Sequence, residues 1–344
     1  MLLENFRPRS RLATRTTLVN QPRFPIIDAH DHLGEAFGGG WDRRPLSELI
    51  DLLDEAGVTH YVDLDGGWGE EILASHLDHF KNPAPERFMI FGGVDWERWK
   101  ELGGKFPEWA ARRLRAQKER GAEGLKIWKP FGLQVKDHHD ELVAIDDQRL
   151  TPLWETAGEL GLPVMIHVAD PVAFFDPLDE TNERWEELRS HPDWAFPSPP
   201  FPSFMVILDG LKKLVLRHPH TTFIGAHVGC YAENLAWVGQ MLEDCPNYSV
   251  DISARLGELG RQPYTARKFF LQFQDRILFG SDMSPDLDAY RLYYRFLETD
   301  DEYFSYNTSE VPGQGRWYVC GLYLPDDVLK KVYHENARRV MKIG

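Results

Sequence analysis

The sequence predicts an α/β protein built as a (β/α)8, or TIM, barrel, and three observations carry that prediction. Eight short apolar runs alternate with helical patterns along the chain, which is the arithmetic of eight β-then-α units. Several of those runs end in residues of metal-binding or acid–base type, and in a barrel such strand ends converge on one mouth. The glycine-rich phosphate loop that would follow the first strand of an open dinucleotide-binding sheet is absent.

The elements follow in order. "FPIIDAH" is the first strand, and "PLSELIDLLDEAG" is a helix that Ser47 caps and Gly57 ends. "VTHYVDLDGG" and "RFMIFGGVDW" are the second and third strands, and a helix over about 107–120 leads to Gly121. "EGLKIWKPFG" is the fourth, and Thr151 with Pro152 makes an N-cap and N1 pair for a helix that stops at Gly161. "LPVMIHVAD", a helix near 203–217, "TTFIGAHVG", "YSVDISAR" and "RILFGSDM" complete the set. Ser284-Pro285 marks the next helix start, and "LPDDVLKKVYHENARRVM" closes the chain. Two connections are long, the βα4 loop at 130–149 and the βα5 loop at 170–201. Both leave the C-terminal ends of strands and are expected over the active-site mouth as lids.

Composition narrows the function. The 344 residues are 42% hydrophobic with no long apolar run, so no membrane-spanning helix is expected. A net charge of −15 repels phosphate backbones and argues against nucleic-acid or anionic-membrane partners. Cys230, Cys245 and Cys320 form no CxxC pair and no disulfide framework, which points to a reducing, cytoplasmic compartment. Arg7, Arg9, Arg11, Arg15 and Arg23 make residues 1–24 a basic arm without the apolar core of a secretory signal. The arm is expected to pack on the body or on a partner subunit, and 25–344 to form one domain.

The strand ends carry the chemistry. The first ends at His30 and His32, the fourth carries Lys126, the fifth His167, the sixth His227 and the eighth Asp282. Side chains at i and i+2 of a strand share a face, so His30 and His32 can grip one ion while Asp31 points away. Asp28 falls on the histidines' face, deeper in the barrel, as a support. Three imidazoles and one carboxylate suit Zn²⁺, with Fe²⁺, Mn²⁺ and Co²⁺ as alternatives. A catalytic zinc keeps a position for water and lowers its pKa to roughly 7. His227 reads as a second ligand or as a neutral electrophile. A lysine facing the interior must be paired or modified, and the competing reading has Lys126 snorkel outward. Lys129, three residues on, would face the other way on a regular strand. Trp41, Trp68, Trp128, Phe174 and Phe175 suit an aromatic substrate, against a competing reading as ordinary packing. Arg255, just past "VDIS", can clamp a substrate carboxylate, against a structural ion pair.

Taken together, "DAHDH", "VMIHVAD", "FIGAHVG", "LFGSD" and a closing "ENARRV" resemble the amidohydrolase superfamily. The likeness is greatest to its amidohydrolase-related branch, with aminocarboxymuconate-semialdehyde decarboxylase and γ-resorcylate decarboxylase, and runs from about Pro25 to Met341. The resemblance implies that His30, His32, His167 and Asp282 bind one divalent metal and that His227 assists catalysis. It also implies a second ion as an alternative, because Lys126 matches the carboxylated lysine that bridges two metals in binuclear members. No nucleotide or organic cofactor is implied, and a homodimer is expected by analogy. The first reading is a metal-dependent hydrolase acting with activated water on an ester, lactone or amide of a small aromatic or carboxylated substrate. Asp282 takes the proton and His227 or the metal stabilises the oxyanion. The second is a non-oxidative decarboxylase in which Asp282 or His227 protonates the carbon that loses CO₂. The third, from another class, is an inactive barrel acting as a binding protein.

Overall fold

The computed structural model describes residues 9–35, 39–307 and 313–344. The apolar runs form eight parallel strands: β1 (Ile26–Asp31), β2 (Val58–Asp63), β3 (Phe88–Gly92), β4 (Gly124–Ile127), β5 (Val164–Ile166), β6 (Phe223–Gly225), β7 (Tyr248–Asp251) and β8 (Ile277–Leu278). They pair in sequence order, β1 through β8. The last gap is bridged by Ala29 N donating to Phe279 O at 3.1 Å and Asp282 N donating to His30 O at 2.8 Å. A helix follows every strand, from Leu46–Ala56 after β1 to Leu287–Glu298 after β8. A short antiparallel pair, β9 (Phe304–Ser305) and β10 (Tyr318–Val319), is inserted beyond that last helix.

Continuous apolar strands suit this fold because both faces are covered. Ile27, Ala29, Val62, Met89, Phe91, Met165, Ile224 and Leu278 fill the barrel. Ala337, Val340 and Met341 of the final helix, Asn336–Met341, join the same cluster. Val164 and Ile166 face the helices instead, so β5 alternates cleanly about Met165. Gly225 is required where β6 passes β7, since a Cβ there would lie 1.7 Å from the Tyr248 hydroxyl.

β1 departs from the expected regularity. Its pairing with β2 slips between Asp28 and Asp31. Ile27 and Ala29 face the interior, and the slip moves the alternation by one, so that His30 and His32 face the mouth. Asp28 therefore does not share the histidines' face. It sits with Asp31: both accept from Ser281 Oγ, at 2.8 and 2.6 Å, and Tyr290 OH donates to Asp28 at 2.9 Å. Burial raises both carboxyls, Asp31 well above the usual range, with the nearby Asp28 charge adding to the effect.

Three helix starts are displaced from expectation. Pro45, in an extended conformation, precedes helix Leu46–Ala56, so Ser47 falls inside the first turn without capping it. Thr151 is already helical, which leaves Leu150 at the cap. Asp286, not Ser284, caps helix Leu287–Glu298 by accepting from Ala289 N at 2.9 Å. Gly57 and Gly161 end their helices with positive φ as expected. In the arm, Thr17 donates through N and Oγ1 to Asp301, and Arg15 and Arg23 pair with Asp300 and Asp326. Arg7 lies outside the described residues. Cys230, Cys245 and Cys320 are free thiols. Among the described residues no helix is long and apolar enough to cross a membrane.

Candidate metal centre

The first strand delivers His30 and His32 to the mouth, and the loop after β8 delivers Asp282. Ligand atoms of these three lie within 4.8 Å of one another. Asp282 Oδ1 is 3.0 Å from His32 Nε2 and 3.6 Å from His30 Nε2, and its Oδ2 is 3.7 Å from His227 Nε2. Asp282 and His227 both adopt left-handed backbone, φ 55° and 57°, and so does Val228 at 58°. A β-branched residue there is strained, and such strain gathers where side chains must be aimed.

A carboxylate stands behind each ring of the His-x-His pair. His30 Nδ1 donates to Asp251 Oδ2 at 2.9 Å, and His32 Nδ1 donates to Asp65 Oδ1 at 2.7 Å. These bonds fix the tautomer and leave both Nε2 lone pairs facing the centre. At His32 that lone pair meets the Asp282 carboxylate, and two acceptors at 3.0 Å repel unless a proton or a cation lies between them. Without a metal a proton does so. Burial works against a charged His32, but the hydrogen bonds to Asp282 and Asp65 outweigh it and push the pKa up to about 9. Burial likewise disfavours an ionised Asp282, and the surrounding histidines nevertheless hold it well below the usual carboxylate range. The donor set fits a divalent metal.

On the other side of the mouth the two histidines are neutral. Burial, then the Arg255 charge, lowers His227 well below its ordinary value. Its Nδ1 donates to Ser253 O at 2.9 Å, leaving Nε2 bare. Burial lowers His167 to about 4. The His167 ring lies 4.5 Å from that of His227, but outside the tight group of His30, His32 and Asp282. Its buried Nε2 approaches Asp170 Oδ1 at 3.4 Å without making a hydrogen bond. Lys126 faces inward rather than snorkelling, with Nζ 3.2 Å from His30 Nε2, and burial pulls its pKa down to about 8. Lys129 pairs with Asp170.

The expected substrate contacts sort unevenly. A cavity of about 480 Å³ beside Asp282 is walled by Trp194, Leu256, Met283, Tyr293, Tyr306 and Gln314. Trp41 and Phe174 are not among its walls. Trp41 is buried and donates to Ser284 Oγ at 3.0 Å, and Phe174 is in the core, stacked against Trp194. Phe175 packs on Phe196 and Phe204. Trp128 stacks on His32, with ring centroids 5.4 Å apart, and on Trp68 at 4.0 Å. Both tryptophans line a different cavity of about 1020 Å³ on the β2–β4 side. Arg255 is buried, donates to Ala254 O at 2.9 Å, and among the described residues makes no ion pair. Its neighbours Ala254 and Leu256 line the 480 Å³ cavity. Sequence reasoning missed Asp65, Asp251, Asp170 and Trp194. The signal for two of them was present, since the second and seventh strand candidates also end in aspartates.

The amidohydrolase family profile matches residues 85–343. No curated protein sequence matches the chain. Among solved structures, it is similar to 2,6-dihydroxybenzoate decarboxylase from Rhizobium at 16% identity and TM-score 0.57, covering 93% of this chain and 99% of that one. It is similar to dihydroxybenzoic acid decarboxylase from Polaromonas sp. JS666, with bound manganese and 2-nitroresorcinol, at 17% identity, TM-score 0.56 and coverage of 93% and 97%. A probable 2-pyrone-4,6-dicarboxylic acid hydrolase from Acinetobacter baumannii, with citric acid bound, has 12% identity, TM-score 0.50 and coverage of 93% and 100%. At these identities the likeness is one of fold.

Proposed function

The chain belongs to the amidohydrolase family, and from that premise we propose that it is a metal-dependent, non-oxidative decarboxylase of a small aromatic carboxylic acid. One observation carries the reading: His30, His32 and Asp282 lie within 4.8 Å of one another, and Asp282 lines a cavity walled by Trp194, Tyr293 and Tyr306. A divalent ion held by these three, with His167 as a further donor, would polarise the oxygens of a chelating substrate. Manganese in the Polaromonas structure supports a divalent ion without selecting zinc. In the proposal Asp282, with His227 Nε2 beside it as a second acceptor, first takes a proton from a ring hydroxyl of the substrate or from water and then delivers it to the ring carbon, while the C–C bond electrons left by departing CO₂ form the new C–H bond. Arg255, a buried cation that makes no ion pair within 4 Å among the described residues and sits between the cavity-lining Ala254 and Leu256, orients the substrate's charge.

Hydrolysis of an ester or lactone is the second reading. It uses the same residues, and the fold likeness to the Acinetobacter hydrolase supports it. The sequence ranks hydrolysis first, and the likeness to two dihydroxybenzoate decarboxylases favours the reverse order here. The test loads the protein with Mn²⁺ or Zn²⁺ and follows CO₂ release and ring opening across hydroxybenzoates and pyrone dicarboxylates. The proposal expects CO₂ release. Ring opening without CO₂ would make the protein a hydrolase, and neither, with no metal bound, would leave the inactive binding barrel.

A further inference from the structure

Beyond the centre lies a buried cluster that the proposed chemistry does not use: Asp63 at the end of β2 and His76 at the end of helix Glu70–His76. His76 Nδ1 donates to Asp63 Oδ2 at 2.7 Å. The other oxygen, Asp63 Oδ1, accepts from Leu33 N at 3.2 Å and from Asp65 N at 3.4 Å. Leu33 follows His32 in the chain, and Asp65 is the carboxylate that orients the His32 ring. One carboxylate thus ties the backbone beside a metal-facing histidine to the backbone of that histidine's orienting partner. Asp65 closes the arrangement by accepting from Leu33 N at 3.1 Å and Gly34 N at 2.7 Å through its Oδ2. Asp63 and His76 are 0% and 2% exposed, so water does not compete for these bonds.

We infer that His76 and Asp63 are positioning residues for the metal centre, acting together on His32 and Asp65. This rests on the reading of His32 as a metal ligand. The cluster does not read as a cation site of its own, although Asp63, Asp65 and His76 offer ligand atoms within 4.8 Å of one another. Every carboxylate oxygen in it already accepts from the protein. The loop after His32 also packs directly on this carboxylate, since a Cβ at Gly34 would come within 2.9 Å of Asp65 Oδ2. Loosening His76 releases Asp63, and with it both the ligand's backbone and its orienter. Partners that orient metal ligands are typically worth roughly 10–100-fold in metal affinity.

The test strips the full chain of metal and titrates it with Mn²⁺ alone by calorimetry. His76→Phe, which removes the donor, is expected to bind about tenfold more weakly. His76→Asn sets an amide N–H near the position of Nδ1 and is expected to recover affinity to within about threefold of wild type. Thr221→Val, which deletes a buried bond to Trp154 O (2.8 Å) away from the centre, controls for general loosening and should leave affinity unchanged. Wild-type affinity in His76→Phe, or an equal loss in Thr221→Val, overturns the inference while the metal reading stands. If the wild-type chain binds no Mn²⁺, the metal reading fails first and this inference with it. Should His76→Phe not fold, Asp63→Asn serves in its place: weaker Mn²⁺ binding supports the role, and unchanged binding overturns it.

Discussion

The two sides of the mouth carry the same residue type in opposite settings. On one side His30 and His32 each have a carboxylate behind the ring, Asp251 and Asp65, at 2.9 and 2.7 Å. On the other, His227 has the Ser253 carbonyl behind it, and His167 meets Asp170 only at 3.4 Å. The first side has its rings oriented before any ion arrives, with a proton holding the ion's place between His32 and Asp282. The histidines of the second side are held neutral by burial, with His227 Nε2 3.7 Å from Asp282 and His167 Nε2 turned toward Asp170. On the proposed reading one side grips an ion and the other moves a proton, and the surroundings of each histidine, more than its identity, suit it to that task.

That contrast can be broken from either side. The largest effect is expected from His30→Ala or Asp282→Asn: turnover falls by roughly 10²–10⁴-fold while circular dichroism still reports a folded barrel. Near-normal turnover in either variant would remove the centre from the account. His227→Asn sharpens the contrast, since kcat should fall about 100-fold with bound metal unchanged. Loss of metal along with His227 would move it to the gripping side and favour two ions. Asp251→Asn should do the reverse, weakening metal affinity by roughly 10–100-fold and recovering turnover when Mn²⁺ is supplied in excess.

Two smaller effects lie away from the ligands. Asp137 accepts from His139 N, Glu141 N and Arg149 Nη1, and the Arg149 bond above all lowers its pKa to about 2. The folded value lies below the ordinary value of about 3.9, so its stabilisation is present above that pH and is lost as pH falls toward 2. Protection of the loop after β4 against amide exchange, taken relative to the intrinsic rate at each pH, should therefore fall between about pH 4 and 2 in wild type but not in Asp137→Asn. Trp41→Phe should cost only about 0.5–1.5 kcal/mol, the size of its bond to Ser284, and leave KM unchanged. A large change in KM would return Trp41 to the substrate.

Much of this was legible in the sequence because strand ends in a barrel converge whatever the loops do. His30, His32 and Asp282 could be named from their places after apolar runs. The inward lysine could be named too, because Lys126 interrupts a buried strand. The β1 slip was not legible: "IIDAHDH" alternates evenly, and only the pairing with β2 shows that the phase shifts between Asp28 and Asp31. Nor were the left-handed turns at His227, Val228 and Asp282, which no residue type announces. Aromatic content predicted an aromatic cavity without saying which loop folds inward. Trp194 of the βα5 loop lines it, while Trp41 and Phe174 pack away. Helix caps slipped by a residue or more wherever a neighbour, such as Pro45 or Asp286, could start the helix instead.

The most direct test of the centre is anomalous scattering from crystals soaked in Mn²⁺. The account predicts a peak between the Nε2 atoms of His30 and His32 and the carboxylate of Asp282. A peak on Asp63, Asp65 and His76 instead, or no ordered manganese in the mouth, would contradict it.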